Sequence, residues 1–189
     1  MMSHYVFVES EKNPSIDPII VWSNGGPGAS SMFGLMAELG QLLLNDQSLK
    51  GISYETTGVP TLFYNPNGWT QVGSILMFDW PPPVGYSFCN DEPGGDGYSC
   101  GTWNDTRAQQ AEYAAVRGWF DGLFPEYKSN DLYLVGESYA GVYIPKLAQA
   151  ILAANDDTAK DDPLNLRGFA VGDACAGTDV LCGNSGGPW

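Results

Sequence analysis

Ser138 is the residue best placed for nucleophilic chemistry in this sequence. It lies in the segment Leu-Val-Gly-Glu-Ser-Tyr-Ala-Gly, residues 134–141, where a strand pattern ends at Val135 and a helical pattern begins near Tyr139. A serine in this strand–turn–helix context is typical of a nucleophile elbow, in which small flanking residues let the turn bend sharply and hold Oγ at the carboxyl edge of a sheet. Position 140 is alanine where the G-x-S-x-G pattern has glycine. Taken alone, the motif also fits a serine that only caps the helix.

A glycine-rich loop earlier in the chain could supply the second part of an acyl-transfer site. Residues 22–31 read Trp-Ser-Asn-Gly-Gly-Pro-Gly-Ala-Ser-Ser, after a strand pattern and before a helical one. The consecutive Gly25 and Gly26 would let backbone N–H groups approach an anion closely, as an oxyanion hole requires. The loop lacks the Gly-Lys-Ser/Thr ending of a phosphate-binding loop. A plain glycine-rich turn is the alternative, but it requires two independent coincidences at the two loops where this chemistry is expected.

These two loops need a sheet that brings them to one edge, and the rest of the sequence predicts one. Short hydrophobic runs alternate with longer helical patterns, which indicates a parallel, doubly wound α/β sheet. The near-continuous Val, Ile and Leu of the runs agrees with parallel strands that are covered on both faces. The predicted strands span residues 18–23, 74–80, 131–135 and 166–171, and the predicted helices span residues 32–44, 105–123 and 139–154.

Length and composition indicate one soluble domain and disfavour several classes of partner. The 189 residues are enough for one hydrophobic core, and 43% hydrophobic with 16% charged residues is ordinary for a globular protein. A formal net charge of -14, with only 8 Lys and Arg, disfavours binding to nucleic acid or to an anionic membrane surface. No apolar run approaches the roughly 20 residues of a membrane span, and we expect no signal peptide in the first residues.

The cysteines fall into two local pairs, Cys89 with Cys100 and Cys175 with Cys182. Each pair brackets a short loop, so two disulfides are expected in an oxidising compartment, with four reduced thiols as the alternative. The spacings do not match zinc sites, and the single histidine is remote in sequence, so neither a metal nor another cofactor is expected. Asn104 begins an Asn-Asp-Thr sequon for glycosylation and fits a helix N-cap equally well.

Several segments resemble signatures of the serine carboxypeptidase family, and they follow the family's order from about Tyr5 to Cys182. Residues 79–87, Asp-Trp-Pro-Pro-Pro-Val-Gly-Tyr-Ser, resemble the family's Asp-Gln-Pro-x-Gly-x-Gly-Tyr-Ser segment, with Trp80 and Pro83 as departures. Ala29 stands where the family usually has a cysteine. The other matching segments are residues 22–31, Glu38-Leu-Gly, Asn65-Pro-Asn-Gly-Trp, Phe124-Pro-Glu-Tyr and Gly136-Glu-Ser-Tyr-Ala-Gly-Val-Tyr-Ile-Pro.

The resemblance implies an α/β-hydrolase fold and a serine-type carboxypeptidase that releases C-terminal residues from peptides, best at acid pH. Family members work in the vacuole, the lysosome or the secretory path. In such an enzyme Ser138 would be the acylating nucleophile, and the backbone N–H groups of Gly26 and Tyr139 would form the oxyanion hole. Peptide or protein C-termini would then be the partners that the protein binds.

The family's subsite for the terminal carboxylate of the substrate maps onto Asn24, Gly25, Glu38 and Glu137, with Trp22 in support. Two glutamates can hold a carboxylate only if at least one is protonated, because close carboxylates cannot all stay ionised. A neutral carboxyl donates a hydrogen bond to the substrate, so peptide binding would favour acid pH. Without the surrounding motif, Glu137 would be read as a surface carboxylate that the dipole of the following helix stabilises.

The sequence does not contain a complete hydrolase triad. In α/β-hydrolases the order along the chain is Ser, then acid, then His, and no histidine follows Ser138. The single histidine, His4, precedes the nucleophile and is interpreted as a strand residue, while Asp173 and Asp179 lie in the wrong motif for the acid. We therefore expect residues 1–189 to be an incomplete α/β-hydrolase domain, with the C-terminal half absent and no activity by itself.

Two other functions fit the same fold. An acyltransferase would pass the acyl group to an alcohol instead of water, and a pseudoenzyme would keep the pocket without the base. The presence of Glu38, Glu137 and Asn24 favours the peptidase, because acyl-ester donors need no subsite for a terminal carboxylate.

Overall fold

A mostly parallel sheet lies between two layers of helices in the computed structural model, which describes residues 1–89, 100–157 and 162–175. The strands are β1 (Tyr5–Val8), β2 (Ile19–Ser23), β3 (Leu42–Leu43), β4 (Phe63–Tyr64), β5 (Ser74–Phe78), β6 (Leu132–Glu137) and β7 (Leu166–Gly172). The helices are α1 (Met32–Gly34, continued by a π-helical turn over Leu35–Leu39), α2 (Ile52–Thr57), α3 (Asp105–Gly118, continued by a π-helical turn over Trp119–Leu123) and α4 (Ala140–Asn155). Short 3-10 turns span Trp69–Gln71 and Pro125–Tyr127.

The central sheet runs in the order β1-β5-β2-β6-β7, and only β1 is antiparallel to its neighbour. This confirms the predicted doubly wound, mostly parallel sheet. Strands β2 and β6 are parallel neighbours, with Ser23 opposite Gly136. The loops that follow these two strands therefore leave the sheet side by side, at its carboxyl edge. One of these loops contains Gly25 and Gly26, and the other contains Ser138.

Hydrophobic cores on both faces of the sheet hold the helices in place. Helices α3 and α4 cover one face and α1 covers the other. Fully burying a large apolar side chain stabilises the fold by about 1.5–3 kcal/mol. The core under α3 and α4 includes Trp119, Leu134, Ile144, Leu147 and Ile151, and the core under α1 includes Trp22, Leu35, Leu39, Ile75 and Met77.

The predicted helix over residues 32–44 is too long, because α1 and its π-helical turn end at Leu39. Gly40 leaves the helix with an extended backbone, and a β carbon at Gly40 would lie 2.0 Å from the Leu35 carbonyl oxygen. The apolar residues beyond it form β3, which pairs with β4 in a separate two-stranded ribbon. The ribbon and α2, which buries no residue, have too little hydrophobic periodicity to be found in the sequence.

Two local links flank α3 at its beginning. Cys89 and Cys100 form a disulfide with their Cα atoms 5.3 Å apart. Asn104 caps α3, since its side chain accepts a hydrogen bond of 2.9 Å from the Arg107 amide. Glycosylation of Asn104 stays a prediction, because the cap uses Oδ1 and a glycan would be attached to Nδ2. The second predicted pair is Cys175 with Cys182, and Cys182 lies outside the described residues, as does Asp179.

Among the described residues, no helix combines the length and apolar character that crossing a membrane requires.

Candidate active site

Ser138 occupies a strained turn between β6 and α4. Its φ is 55°, in the left-handed region that costs a residue with a side chain about 1–2 kcal/mol. Backbone hydrogen bonds hold the turn: the Ser138 amide donates to the Gly172 carbonyl at 3.0 Å, and the Gly141 and Cys175 amides donate to the Ser138 carbonyl at 2.9 and 2.8 Å. The end of β7 thus fixes the turn from one side. A serine held in this way is the geometry of a nucleophile elbow.

Gly25 brings the glycine-rich loop into direct contact with the elbow. A β carbon at Gly25 would lie 2.4 Å from the Tyr139 amide nitrogen and 2.9 Å from the Ser138 β carbon. Only glycine permits this approach, since real β carbons do not come closer than about 3.0 Å to such atoms. The Gly25–Gly26 backbone and the Tyr139 amide therefore lie together beside Ser138, which is the arrangement that an oxyanion hole requires.

Asn24 connects the glycine-rich loop to the residues around it. The Asn24 side chain donates from Nδ2 to Glu137 Oε1 at 2.9 Å, and its Oδ1 accepts from Trp22 Nε1 at 2.9 Å and from the Gly34 amide at 3.1 Å. The Asn24 amide donates to Ser31 Oγ at 3.2 Å. Asn24 is buried, so these bonds fix its orientation and set the position of the Glu137 carboxylate.

Glu38 and Glu137 form a pair of acidic groups at this edge. Glu38 is carried by the π-helical turn after α1 and is exposed as a whole residue. Partial removal of its carboxyl from water, and secondly the negative charge of Glu137, raise the pKa of Glu38 above its ordinary value. A carboxyl with a raised pKa keeps its proton to higher pH than an ordinary glutamate, so Glu38 can act as a hydrogen-bond donor to an anion.

Two buried aromatic residues, Trp22 and Tyr139, hold the loops of this site through their packing and hydrogen bonds. Trp22 is buried and packs edge-to-face on Trp69, with ring centroids 5.5 Å apart. Tyr139 is buried as well, and its hydroxyl donates to Asp105 at the start of α3, at 2.9 Å. The Tyr139 backbone amide, and not its hydroxyl, is therefore the group of this residue that lies at the elbow.

His4 lies far from Ser138. It precedes β1, and its Nδ1 is 2.8 Å from Oδ2 of the buried Asp79. Strand β1 is separated from β6 by β5 and β2, a distance of about 14 Å at the usual spacing of strands. A histidine at this distance cannot take the proton of Ser138 directly.

Three polar residues at this edge were missed from the sequence. They are Ser30, which is partly buried, and the buried Ser31 and Asp79. The Ser30 hydroxyl donates to the Asp79 carboxylate, and the Ser31 hydroxyl accepts from the Asn24 amide. The signal for Ser30 and Ser31 was the pair of hydroxyl residues that ends the glycine-rich loop. The spacing of 49 residues between Ser30 and Asp79 carries no pattern that would have linked them.

Comparison with protein-family models identifies the family of this chain. The family model described as serine carboxypeptidase matches residues 2–181, which include the elbow, the glycine-rich loop and both glutamates. The chain belongs to the serine carboxypeptidase family.

Relatives of this serine carboxypeptidase chain come from animals, plants and yeast. It is 39% identical to the lysosomal protective protein of Mus musculus over 92% of this chain, and 38% identical to serine carboxypeptidase-like 20 of Arabidopsis thaliana over 91% of this chain. The crystal structure of a prohormone-processing carboxypeptidase from Saccharomyces cerevisiae matches with a TM-score of 0.72 and 29% identity over 90% of this chain. The fold is therefore that of an α/β-hydrolase.

The chain spans about a third of the length of these relatives. It covers 31% of the mouse protein, 32% of the Arabidopsis protein and 34% of the yeast structure.

Proposed function

We propose that this chain is part of a serine-type carboxypeptidase that releases C-terminal residues from peptides through an acyl-enzyme on Ser138. The observation that carries the proposal is the Asn24–Glu137 hydrogen bond of 2.9 Å directly beside the elbow, with the raised pKa of Glu38 next to it. This is an arrangement for an anion one residue away from the nucleophile. A terminal carboxylate bound there would put the last peptide bond at Ser138 Oγ.

The reaction would proceed by acyl transfer in two steps. Ser138 Oγ attacks the carbonyl carbon of the last peptide bond, its proton passes to a general base, and the leaving amine takes a proton as the C–N bond breaks. Water then attacks the acyl-enzyme and releases the shortened peptide. The proposed reaction requires a histidine as the base and an acidic residue as its partner, and no histidine follows Ser138 in residues 1–189.

The glycine-rich loop would stabilise the oxyanion of each tetrahedral intermediate. The Gly26 and Tyr139 amides would donate to it, and the approach of Gly25 to the Tyr139 nitrogen supports this role. Removing one such donor typically costs a factor of about 10²–10³ in kcat.

The terminal carboxylate would be held by Asn24, Gly25, Glu38 and Glu137 together. Asn24 is oriented by Trp22, and a protonated glutamate donates the hydrogen bond that two ionised glutamates could not. The name of the mouse relative and the raised pKa of Glu38 support work in a lysosome, vacuole or secretory path, on peptide or protein C-termini.

The proposal is tested in a hybrid protein, in which residues 2–181 of this chain replace the matching segment of the mouse lysosomal protective protein. The hybrid should hydrolyse an N-blocked dipeptide with a free C-terminus at acid pH, and Ser138→Ala should abolish this. The exposed and remote Glu55→Gln is the control and should leave the rate unchanged. Equal hydrolysis of the dipeptide and its C-terminal amide would contradict the carboxylate subsite. Transfer of the acyl group to an alcohol in preference to water would favour the acyltransferase.

A further inference from the structure

We propose that Asp79 positions the oxyanion loop through Ser30, with His4 as the partner of its carboxylate. The loop is residues 24–31, and the inference rests on the function proposed above. Asp79, Ser30 and His4 are positioning residues here, since none of them lies at Ser138.

Asp79 is a buried carboxylate with its hydrogen-bonding partners arranged around both oxygens. It is 1% exposed and directly follows β5. Ser30 Oγ donates to Oδ1, and the Tyr86 amide donates to Oδ2 at 3.0 Å. His4 Nδ1 also lies 2.8 Å from Oδ2. A buried carboxylate is stable only with such partners, so the three groups are held where Asp79 requires them.

The backbone around Asp79 leaves the carboxylate no alternative position. A β carbon at Gly85 would lie 2.2 Å from Asp79 Oδ2, which shows how closely the following turn wraps the carboxyl group. The main chain of Asp79 is fixed as well, since its amide donates to the His4 carbonyl at 3.1 Å and its carbonyl accepts from Ser87 Oγ at 2.7 Å. Asp79 is thus a rigid point between β1 and β5, from which Ser30 can be held.

Ser30 transmits this rigidity to the loop. Its hydroxyl donates to Asp79 and accepts from the Met32 amide at 3.2 Å, which joins the end of the loop to the start of α1. At the other end, Asn24 is held by Ser31 and by Glu137. The Gly25–Ala29 turn between them is closed by a hydrogen bond of 3.0 Å from the Ala29 amide to the Gly25 carbonyl. The loop therefore has two anchors, one at the carboxylate subsite and one at Asp79.

The second anchor has a separate chemical consequence. Oxyanion donors are effective only when they lie at about 2.7–3.1 Å from the developing charge, so a small displacement of Gly26 lowers the rate of the chemical step. The carboxylate subsite has its own anchors at Ser31 and Glu137. Loss of the Ser30–Asp79 bond should therefore lower kcat and leave the binding of the peptide terminus largely intact.

Hydrogen exchange at the Ala29 amide, measured in the hybrid protein, tests the anchor without any need for activity. Ala29 donates to Gly25 and not to Ser30, so Ser30→Ala removes none of its bonds and speeds its exchange only if the loop moves. Ser10→Ala is the matched control. Ser10 lies between β1 and β2, outside the loop, and its buried hydroxyl likewise donates to an aspartate, Asp17, at 2.6 Å and accepts from the amide two residues later, that of Lys12, at 3.2 Å. We expect faster exchange in Ser30→Ala and Asp79→Asn than in wild type and Ser10→Ala. Equal rates at Ala29 in all four proteins would overturn the proposal, whether or not the protein hydrolyses peptides.

Kinetics of the hybrid protein give the second readout. Ser30→Ala should lower kcat about tenfold or more, in line with the effect of disturbed oxyanion donors, and change KM less than about twofold. A side chain that only stabilises the fold would lower the melting temperature without this split. A Ser30→Ala enzyme with the kcat of Ser10→Ala would count against the anchor. An inactive wild-type hybrid would count against the proposed function alone, since the exchange at Ala29 is measured independently.

Discussion

Asn24 shows at the scale of one residue how this site depends on an amide. Its Oδ1 accepts from Trp22 and Gly34, and its Nδ2 donates to Glu137. A carboxylate in its place could accept the first two bonds but would repel Glu137, whereas the amide offers a donor and an acceptor on opposite sides. Glu137 is consequently held as an acceptor, and in the proposed subsite Glu38 would supply the proton that a bound carboxylate requires.

The raised pKa of Glu38 predicts a pH dependence of peptide binding in the hybrid protein. The pKa of Glu38 is raised, so the donor is present below that pKa and is lost as the pH rises through it. KM for a peptide should therefore increase with pH. Glu137→Gln removes the second charge and supplies an amide donor, so it should flatten this increase and leave ester hydrolysis nearly intact.

The measurement is KM against pH for an N-blocked dipeptide and for its C-terminal amide, in wild type and in Glu137→Gln. The amide has no carboxylate and should show no such increase in wild type. A parallel loss of affinity for both substrates would mean that Glu38 and Glu137 are structural.

At the scale of elements, the sequence predicted those parts of the fold in which local pattern and packing agree. Strands β2, β5, β6 and β7 and helices α3 and α4 were all found within a few residues, because each is a hydrophobic run or an amphipathic repeat. The end of α1 was wrong, because apolar spacing continues past Gly40 into β3.

The parts of the site that depend on chain topology could not be predicted from the residues alone. Ser138 and the glycine-rich loop have local signatures, but His4 and Asp79 are 75 residues apart and meet only because β1 pairs with β5. No spacing rule reports such a pair, since the pairing of β1 is set by the whole sheet. The same holds for Glu112, whose burial depends on the packing of α3 against α4.

Glu112 makes the packing of α3 against α4 sensitive to pH. It is 3% exposed, and Oε2 has no hydrogen-bond partner in the part of the chain that the structure describes. Burial, and secondly a charge on Glu112, raise the pKa of Tyr143 on α4. Burial also raises the pKa of Glu112 itself, from 4.5 to about 8. Between these two values the folded protein keeps a proton that the unfolded chain releases.

The stability of the hybrid protein should therefore decline with rising pH, by up to about 1.4 kcal/mol per pH unit from Glu112 alone. This stabilisation is complete below pH 4.5 and is lost as the pH rises towards about 8. Glu112→Gln cannot ionise, so its melting temperature should gain on that of wild type across this window. Urea or thermal unfolding from pH 4 to 8 measures the difference, with the exposed Glu55→Gln as the control. A constant difference between wild type and Glu112→Gln over the whole range would show that Glu112 does not titrate there.

At the scale of the whole molecule, the surface around β7 has an unpaired strand edge and exposed apolar side chains. Within the described residues β7 pairs with β6 on one side only. Large apolar side chains there are exposed to solvent: Phe169 on β7 is 55% exposed and Leu152 on α4 is 53% exposed. Open strand edges and apolar patches of this kind are normally covered in a stable protein. Together with a length of about a third of the relatives, this supports the proposal that residues 1–189 are one part of a larger domain.

The isolated chain should accordingly be inactive and poorly packed. Serine is a weak nucleophile without a general base, and the only histidine of the chain is bonded to Asp79 about 14 Å from β6. We expect no turnover of an N-blocked dipeptide by the 189-residue chain, together with strong binding of a dye such as ANS to its open apolar surface. The hybrid protein should reverse both results, because it supplies the base and covers β7. A cooperative thermal transition of a soluble monomer would contradict the packing argument. Turnover by the isolated chain within tenfold of the hybrid, abolished by Ser138→Ala, would show that the base lies within these 189 residues.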